Sequence, residues 1–404
     1  MKILLINTNY GGGAAIACRR QHKALLANGY DSSLLVLDKV GYPGEKNVYS
    51  IEELVSKKYG VWFFTILKFL NKVNNSFPLF FNKKAYINGP ASLFRIDTLD
   101  IYRDADIVHF HWVPKIVSYK HVFADKTKTF FWTLHDMNPF TGGNHYTKDF
   151  DYSIYDKLLK KNIANKKKYL KGANLTIITP SVWLGDLAEN SEVFKGFSVN
   201  VIPNCLDLNI FSPKDKIQAR KKSNVGESDK KYILFVAEDP NDKRKGMHLL
   251  LSALDKIKNK SRICVLIMGK KMENVTFDFP FIQLGFKNKE VDIADCYNAA
   301  DFFVIPSIED NLPNTVLESL ACGTPVLGFN IGGIPDMVIN NESGLLCDIN
   351  DEQGFIRNIE LFVDIDDYTS FSTEARRTVE SKFSEEIVIK QLSALYTSKF
   401  KKNN

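Results

Sequence analysis

The sequence predicts an α/β protein made of two doubly wound parallel-sheet domains. Three observations carry that expectation. The chain has 404 residues, which favours two domains over one. Short apolar runs alternate with helix-length segments, the pattern of strands buried on both faces between crossover helices. The pattern also restarts after a polar stretch, "SPKDKIQARKKSNVGESDKK" at 212–231, which reads as a connector.

Taken in order, the first set of strands is "KILLIN", "SSLLVL", "DIVHFHW", "TFFWTL", "LTIITP" and "VNVIP". The second set is "YILFVA", "RICVLIMG", "FIQLG", "DFFVIPS" and "TPVLGF". The first domain is placed at 1–205 and the second at 206–380. Two such domains facing one another leave a cleft at the carboxyl ends of their strands, where ligands of these sheets bind. The opening "MKILLINTNYGGG" reads as a buried strand running into a glycine loop rather than as a signal peptide.

Composition narrows the function classes. Lys+Arg at 53 against Asp+Glu at 47 is a mixed surface with no demand for nucleic acid. The six cysteines form no C-x-x-C pair and several lie in apolar runs. They read as buried thiols in a reducing, cytoplasmic setting. No apolar stretch is long enough to span a bilayer.

The most informative stretch is "EDNLPNTVLESLACGTPVLG", residues 309–328. It reads as a loop after a strand, then a helix with Asn314 as N-cap and Gly323 at its end. The N–H groups of Asn314, Thr315 and Val316 would then face a diphosphate. Glu318, one turn in, would accept hydrogen bonds from a ribose diol, and Asp310 would reach another part of the same ligand. A capped helix with one exposed acid fits the spacing as well.

Asp310, seven residues and Glu318, followed by "SLACGTPVLGF" and "GGIPD", resemble the donor-site signature of retaining nucleotide-sugar glycosyltransferases of the GT-B fold. The usual pattern there is Glu-x7-Glu, so Asp310 is one methylene short. The resemblance covers nearly the whole chain and implies two Rossmann-like domains, with residues 381–404 as a helix returning to the first. It implies that Lys245 and Arg244 of "DPNDKRKGMHLLLSAL" pair with the donor diphosphate, although "DKRKG" alone reads as a solvated charged turn. Gly12 and Gly13 of the first loop are implied to approach a ligand, and the same glycines could form a plain turn. Gly285 and Phe286 would edge the nucleobase, and the Asn311–Leu312 backbone would hold the donor sugar. His135 of "LHDMNPFTGGNHY" would sit at the reacting centre, with His145 a further candidate; a histidine bonded only to backbone fits too. His109 and His111 are expected to face opposite ways along their strand, which argues against a shared metal. Cys205 stands where glycine is usual, and Asp207 reads as a turn-maker.

The resemblance implies transfer of a sugar from a nucleoside diphosphate to an acceptor hydroxyl, with retention, in surface polysaccharide or glycolipid assembly. His135, Asp310 and Lys245 are the expected catalytic residues. No metal or other cofactor is expected, because cationic side chains and a helix end do that work. A nucleotide-sugar epimerase on the same fold, or a non-catalytic degenerate relative, stays open. "YGVWFFTILKFLNKVNNSFPLFFNKK" at 59–84 and the basic "KLLKKNIANKKKYLKG" could form a face toward the inner side of the cytoplasmic membrane, suiting a polyprenyl-linked acceptor. An ordinary core helix is the preferred reading of the aromatic run.

Overall fold

A computed structural model describes residues 1–39, 44–76, 87–148, 152–273 and 276–400. The chain forms two compact units, Met1–Pro203 with Val388–Asn404, and Asn204–Ile387. The chain leaves the second unit at Val388 rather than at 381. The physical tie is local: Arg376 donates to the carbonyls of Phe211 at 2.7 Å and Ala321 at 2.9 Å, and Leu206 N–H donates to Phe383 O at 3.0 Å.

The first unit holds seven strands: β1 (Lys2–Ile6), β2 (Asp31–Val36), β3 (Val48–Ser50), β4 (Ile107–Phe110), β5 (Thr129–Thr133), β6 (Leu175–Thr179) and β7 (Ser198–Val201). Their order is β3-β2-β1-β4-β5-β6-β7, and every pairing is parallel. The second unit holds six: β8 (Lys231–Val236), β9 (Ile263–Met268), β10 (Phe281–Gly285), β11 (Phe302–Ile305), β12 (Val326–Phe329) and β13 (Gly344–Cys347). Their order is β10-β9-β8-β11-β12-β13, again all parallel. In each sheet the order reverses beside the unit's first strand, between β1 and β4 and between β8 and β11.

Strand periodicity divides the cores. In the second unit Tyr232, Leu234, Phe303 and Ile305 enter one cluster, while Ile233, Phe235, Phe302 and Val304 enter the other. Successive side chains point to opposite faces, so a continuous apolar run feeds two helix layers at once. In the first unit Leu4, Ile6, Val108, Phe110, Phe130 and Trp132 build the core on one face. On the other face Tyr396, from the last helix Glu385–Phe400, packs edge-on against Phe131 with ring centroids 4.7 Å apart.

Three expectations need correction. The polar stretch 212–231 is not a bare connector. It contains the helix Lys216–Lys222, and its residues pair with the second unit: Lys214 with Asp295 at 2.7 Å, and Lys216 with Asp301 at 2.7 Å. The basic helix Tyr152–Leu170 does not present all its lysines to solvent. Lys166 is fully buried and donates to the carbonyls of Asn138 and, at 3.0 Å, Thr141. The aromatic run preferred as core forms the helix Val61–Ser76, whose outer side is exposed. Residues 77–84 of that run lie outside the described residues. Among the described residues, no helix is long and apolar enough to cross a membrane. Five of the six cysteines are buried, and none forms a disulfide.

Candidate functional site

In the second unit the loops after β8 and β11 leave the carboxyl ends of the two strands flanking the reversal, where such sheets bind ligands. One loop carries Arg244 and Lys245, the other Glu309 to Leu312. Lys245 Nζ donates to Asp310 Oδ2 at 2.6 Å. Arg244 Nη1 lies 3.5 Å from the same oxygen and donates to the Glu309 carbonyl at 2.9 Å. The Ser307 hydroxyl is 3.4 Å from that carboxylate. Burial works to raise the Asp310 carboxyl, but Lys245 and then Arg244 outweigh it and hold it below the usual carboxylate range.

Two glycines permit this convergence. Gly246 has φ 75°, and a Cβ there would stand 1.7 Å from the Pro306 carbonyl oxygen. Gly332 has φ 55°, and a Cβ there would stand 1.8 Å from the Asp310 carbonyl oxygen. Any other residue would push one loop off the other.

The helix after this loop is Asn314–Ala321. Asn314 is not its N-cap. Pro313 takes that position without a side-chain cap bond, and its carbonyl accepts from Val316 N–H at 3.0 Å. Val316 N–H is therefore engaged within the chain rather than turned to a ligand. The Asn314 side chain instead accepts from Asn204 Nδ2 at 3.1 Å. Thr315 stands half-buried at the helix start. At the far end Gly323 and Thr324 N–H groups return to Leu320 and Ser319, each at 3.0 Å, closing the helix as the sequence indicates.

Glu318 is buried, and its Oε2 accepts from the Tyr297 hydroxyl at 3.0 Å. Tyr297 was not singled out from the sequence; it lies on a separate helix, Glu290–Ala299, with no local signal linking it to Glu318. Asn311 and Leu312 are buried, and the Asn311 carbonyl accepts from Gly333 N–H at 2.7 Å. Gly285 closes β10, two strands away from β8, and Phe286 beside it is exposed. Asp207 caps its own turn through Asn209 N–H at 2.8 Å. Cys205 is buried and is not among the non-glycine residues with positive φ.

The first unit repeats the topology with different chemistry. Gly12 precedes the helix Gly13–Ala27 as its N-cap, on the loop after β1. Trp112, just past β4, is tied to that loop: its N–H donates to Asn7 Oδ1 at 2.8 Å and its carbonyl accepts from Thr8 at 2.7 Å. His135 follows β5, and its Nε2 lies 2.9 Å from His111 Nδ1. His109 and His111 do not face opposite ways. They are two residues apart, so strand periodicity puts them on one face, and their ring centroids are 4.7 Å apart. His109 in turn meets the Tyr396 hydroxyl at 2.5 Å and Thr133 Oγ1 at 2.8 Å. Burial lowers His109 to about 3 and His135 to about 4, so these imidazoles are neutral near pH 7.

Asp136, next to His135, accepts from Trp112 Nε1 at 2.9 Å and lies 2.5 Å from His145 Nδ1. Burial opposes its charge, yet His145 and Trp112 help to keep its carboxyl below the ordinary value. Asn88 Nδ2 meets the other ring nitrogen of His145 at 2.8 Å. The loop itself is pinned from the helix Tyr152–Leu170, by Lys166 on Asn138 and Thr141 and by Asn162 Nδ2 on the Gly142 carbonyl at 2.7 Å. Asp136, Trp112 and Lys166 were not read as site residues. Asp136 was visible beside His135 in the motif; the buried lysine in a run of exposed ones carried no signal. No group of three or more His, Cys, Asp or Glu suited to a metal ion occurs among the described residues.

Residues 216–378 match the family model described as glycosyl transferases group 1. The match lies within the second unit. The chain is similar to N-acetyl-alpha-D-glucosaminyl L-malate synthase of Bacillus anthracis, 23% identical over 208 residues, covering 49% of this chain and 53% of that one. It is also similar to D-inositol 3-phosphate glycosyltransferase of Thermobispora bispora, 28% identical over 216 residues, 49% and 50% of the two chains. The aligned stretch thus spans about half the length of these relatives. Solved structures extend the likeness over the whole fold. Sucrose-phosphate synthase of Thermosynechococcus elongatus superposes with TM-score 0.69 at 18% identity, over 99% of each chain. Anabaena Alr3699/HepE, solved with UDP and glucose, superposes with TM-score 0.65 at 15% identity, over 98% and 100%. The fold is the GT-B fold expected from the sequence.

Proposed function

We propose that the protein transfers a sugar from a nucleoside-diphosphate sugar to the hydroxyl of a saccharide or polyprenyl-linked acceptor, with retention at the anomeric carbon. The observation that carries this is the Lys245–Asp310–Arg244 cluster at the strand-order reversal of the group 1 domain. Lys245 and Arg244 are gathered beside a helix start, with Asp310 and, 3.7 Å from Arg244, Asp242 as counter-charges, and their N–H groups suit a diphosphate. As the bond from the anomeric carbon to the diphosphate oxygen breaks, its electron pair leaves with the diphosphate, and Lys245 and Arg244 stabilise that charge. The acceptor oxygen bonds to the carbon and gives up its proton to the departing diphosphate oxygen. No metal is required where these cations do that work.

Asp310 sets the two cations and, with the Asn311–Leu312 backbone, meets the donor sugar. Glu318 and Thr315 serve the ribose and diphosphate, with Gly285 and Phe286 toward the base. Neutral His135 serves the reacting centre, and Gly12 and Gly13 the same side. The HepE structures with UDP and UDP-glucose support a nucleotide-sugar donor, and the likeness to capsular polysaccharide biosynthesis glycosyltransferase CapM of Staphylococcus aureus supports a role in surface polysaccharide assembly.

The test is the melting temperature with UDP, GDP, ADP and CDP, for wild type and Lys245→Ala. A ligand that binds only the folded state must raise it. One nucleotide should raise it in wild type and lose that effect in the variant. No rise with any of the four would turn the reading toward a non-catalytic relative.

A further inference from the structure

We propose that the outer face of the helix Val61–Ser76 lies in the interface of an anionic lipid bilayer. The helix has two unlike sides. Its inner side is fastened: Phe64 is 2% exposed, and Asn71 donates to the Lys115 carbonyl at 2.9 Å and accepts from Leu93 N–H at 2.8 Å. Its outer side is apolar and open: Trp62 is 83% exposed, Phe69 64% and Ile66 56%, with Phe63, Leu70 and Val73 also exposed. Positions 62, 66, 69 and 73 form one stripe at helical spacing and 63, 66 and 70 a second beside it. Water gains nothing from such a stripe, and folding does not use it.

Charge selects the occupant. Between residues 54 and 96 the sequence has six lysines and one arginine and no Asp or Glu. Lys57 and Lys58 end the preceding helix Ile51–Tyr59, and Lys68 and Lys72 flank the stripe. Lys68 is paired with Asp38 at 3.0 Å, which leaves Lys57, Lys58 and Lys72 to face an anionic surface. A second copy would bring the same lysines together, whereas acidic headgroups complement them. Sixteen residues make a helix of about 24 Å, shorter than the hydrocarbon core, so it lies in the interface rather than across it.

The test is flotation of the full chain with phosphatidylglycerol or phosphatidylcholine vesicles, without nucleotide. The chain should float with phosphatidylglycerol at low salt, and about tenfold less with phosphatidylcholine or at high salt. Trp62→Ser with Phe69→Ser should weaken binding about tenfold or more at unchanged melting temperature, since both side chains are exposed. Lys57→Glu with Lys58→Glu should remove the preference for anionic lipid. No flotation of wild type, or flotation that the Trp62 and Phe69 changes leave intact, overturns the proposal. Self-association abolished by those changes, without flotation, assigns the face to a second copy and overturns it too. The nucleotide-dependent melting shift is a separate readout, so either reading can fail alone.

Discussion

The two units place loops at equivalent points of equivalent sheets and fill them with opposite chemistry. After β8 and β11 the loops bring together charge: Lys245 and Arg244 on the buried carboxylate of Asp310. After β4 and β5 the loops bring together rings: His135 on His111, with Asp136, His145 and Trp112 beside them. Each cluster has a buried member, Asp310 in one and His111 in the other, and burial acts differently on each. The Asp310 carboxylate stays charged in the second unit because Lys245 and Arg244 lie within reach. The imidazoles of the first unit stay neutral because desolvation outweighs what surrounds them. Topology supplies the position, and the side chains decide the charge presented there.

The largest break in this comparison should come from Lys245→Ala, which removes the cation nearest Asp310. Sugar transfer should fall by about 10²–10³-fold, as when one preorganised electrostatic donor is lost, measured as kcat/KM with saturating acceptor. An unchanged rate would separate the cluster from catalysis. His135→Gln should follow, lowering kcat by about 10²-fold with little effect on the melting shift by nucleotide. Equal loss of that shift would move His135 out of the role proposed for it.

Asp310→Asn tests the ion cluster as a structural device. Lys245 would lose its counter-charge and Arg244 would keep only Asp242, 3.7 Å away, costing about 2 kcal/mol in urea unfolding. A stabilised variant would show that the cations reach solvent unaided.

The smallest effect is a pH difference between the units. His109 and His135 titrate at about 3 and about 4 when folded, below their ordinary value of about 6.5. Over that window the unfolded chain binds more protons, so stability of the first unit falls as pH drops from about 6.5 toward 4. Asp310 is shifted below its ordinary carboxylate value, so its contribution persists until pH falls through the folded pKa. All four tryptophans, Trp62, Trp112, Trp132 and Trp183, belong to the first unit, so tryptophan fluorescence reports that unit alone. It should show the urea midpoint falling between pH 6.5 and 4; a constant midpoint would mean the imidazoles reach water.

Eleven of the thirteen strands were legible as apolar runs. The two that were not are β3, only three residues long, and β13, whose apolar run "LLC" is short and preceded by a polar stretch. The Lys245 and Asp310 loops were legible because each follows a strand and precedes a helix. Tyr297 on Glu318 and Lys166 on the Asn138 carbonyl were not, since each partner comes from a distant stretch of chain.

By itself the sequence determined two parallel sheets, the carboxyl-end loops and the residue types on them, because periodicity and chain order are local properties. Tertiary structure decided which of those residues touch. It set His135 against His111, gave the helix start at Asn314 to Pro313, and buried Lys166 while exposing Trp62. Those outcomes depend on which surfaces the other elements cover, and a linear pattern of apolar residues is the same whether its face meets a core or is left open.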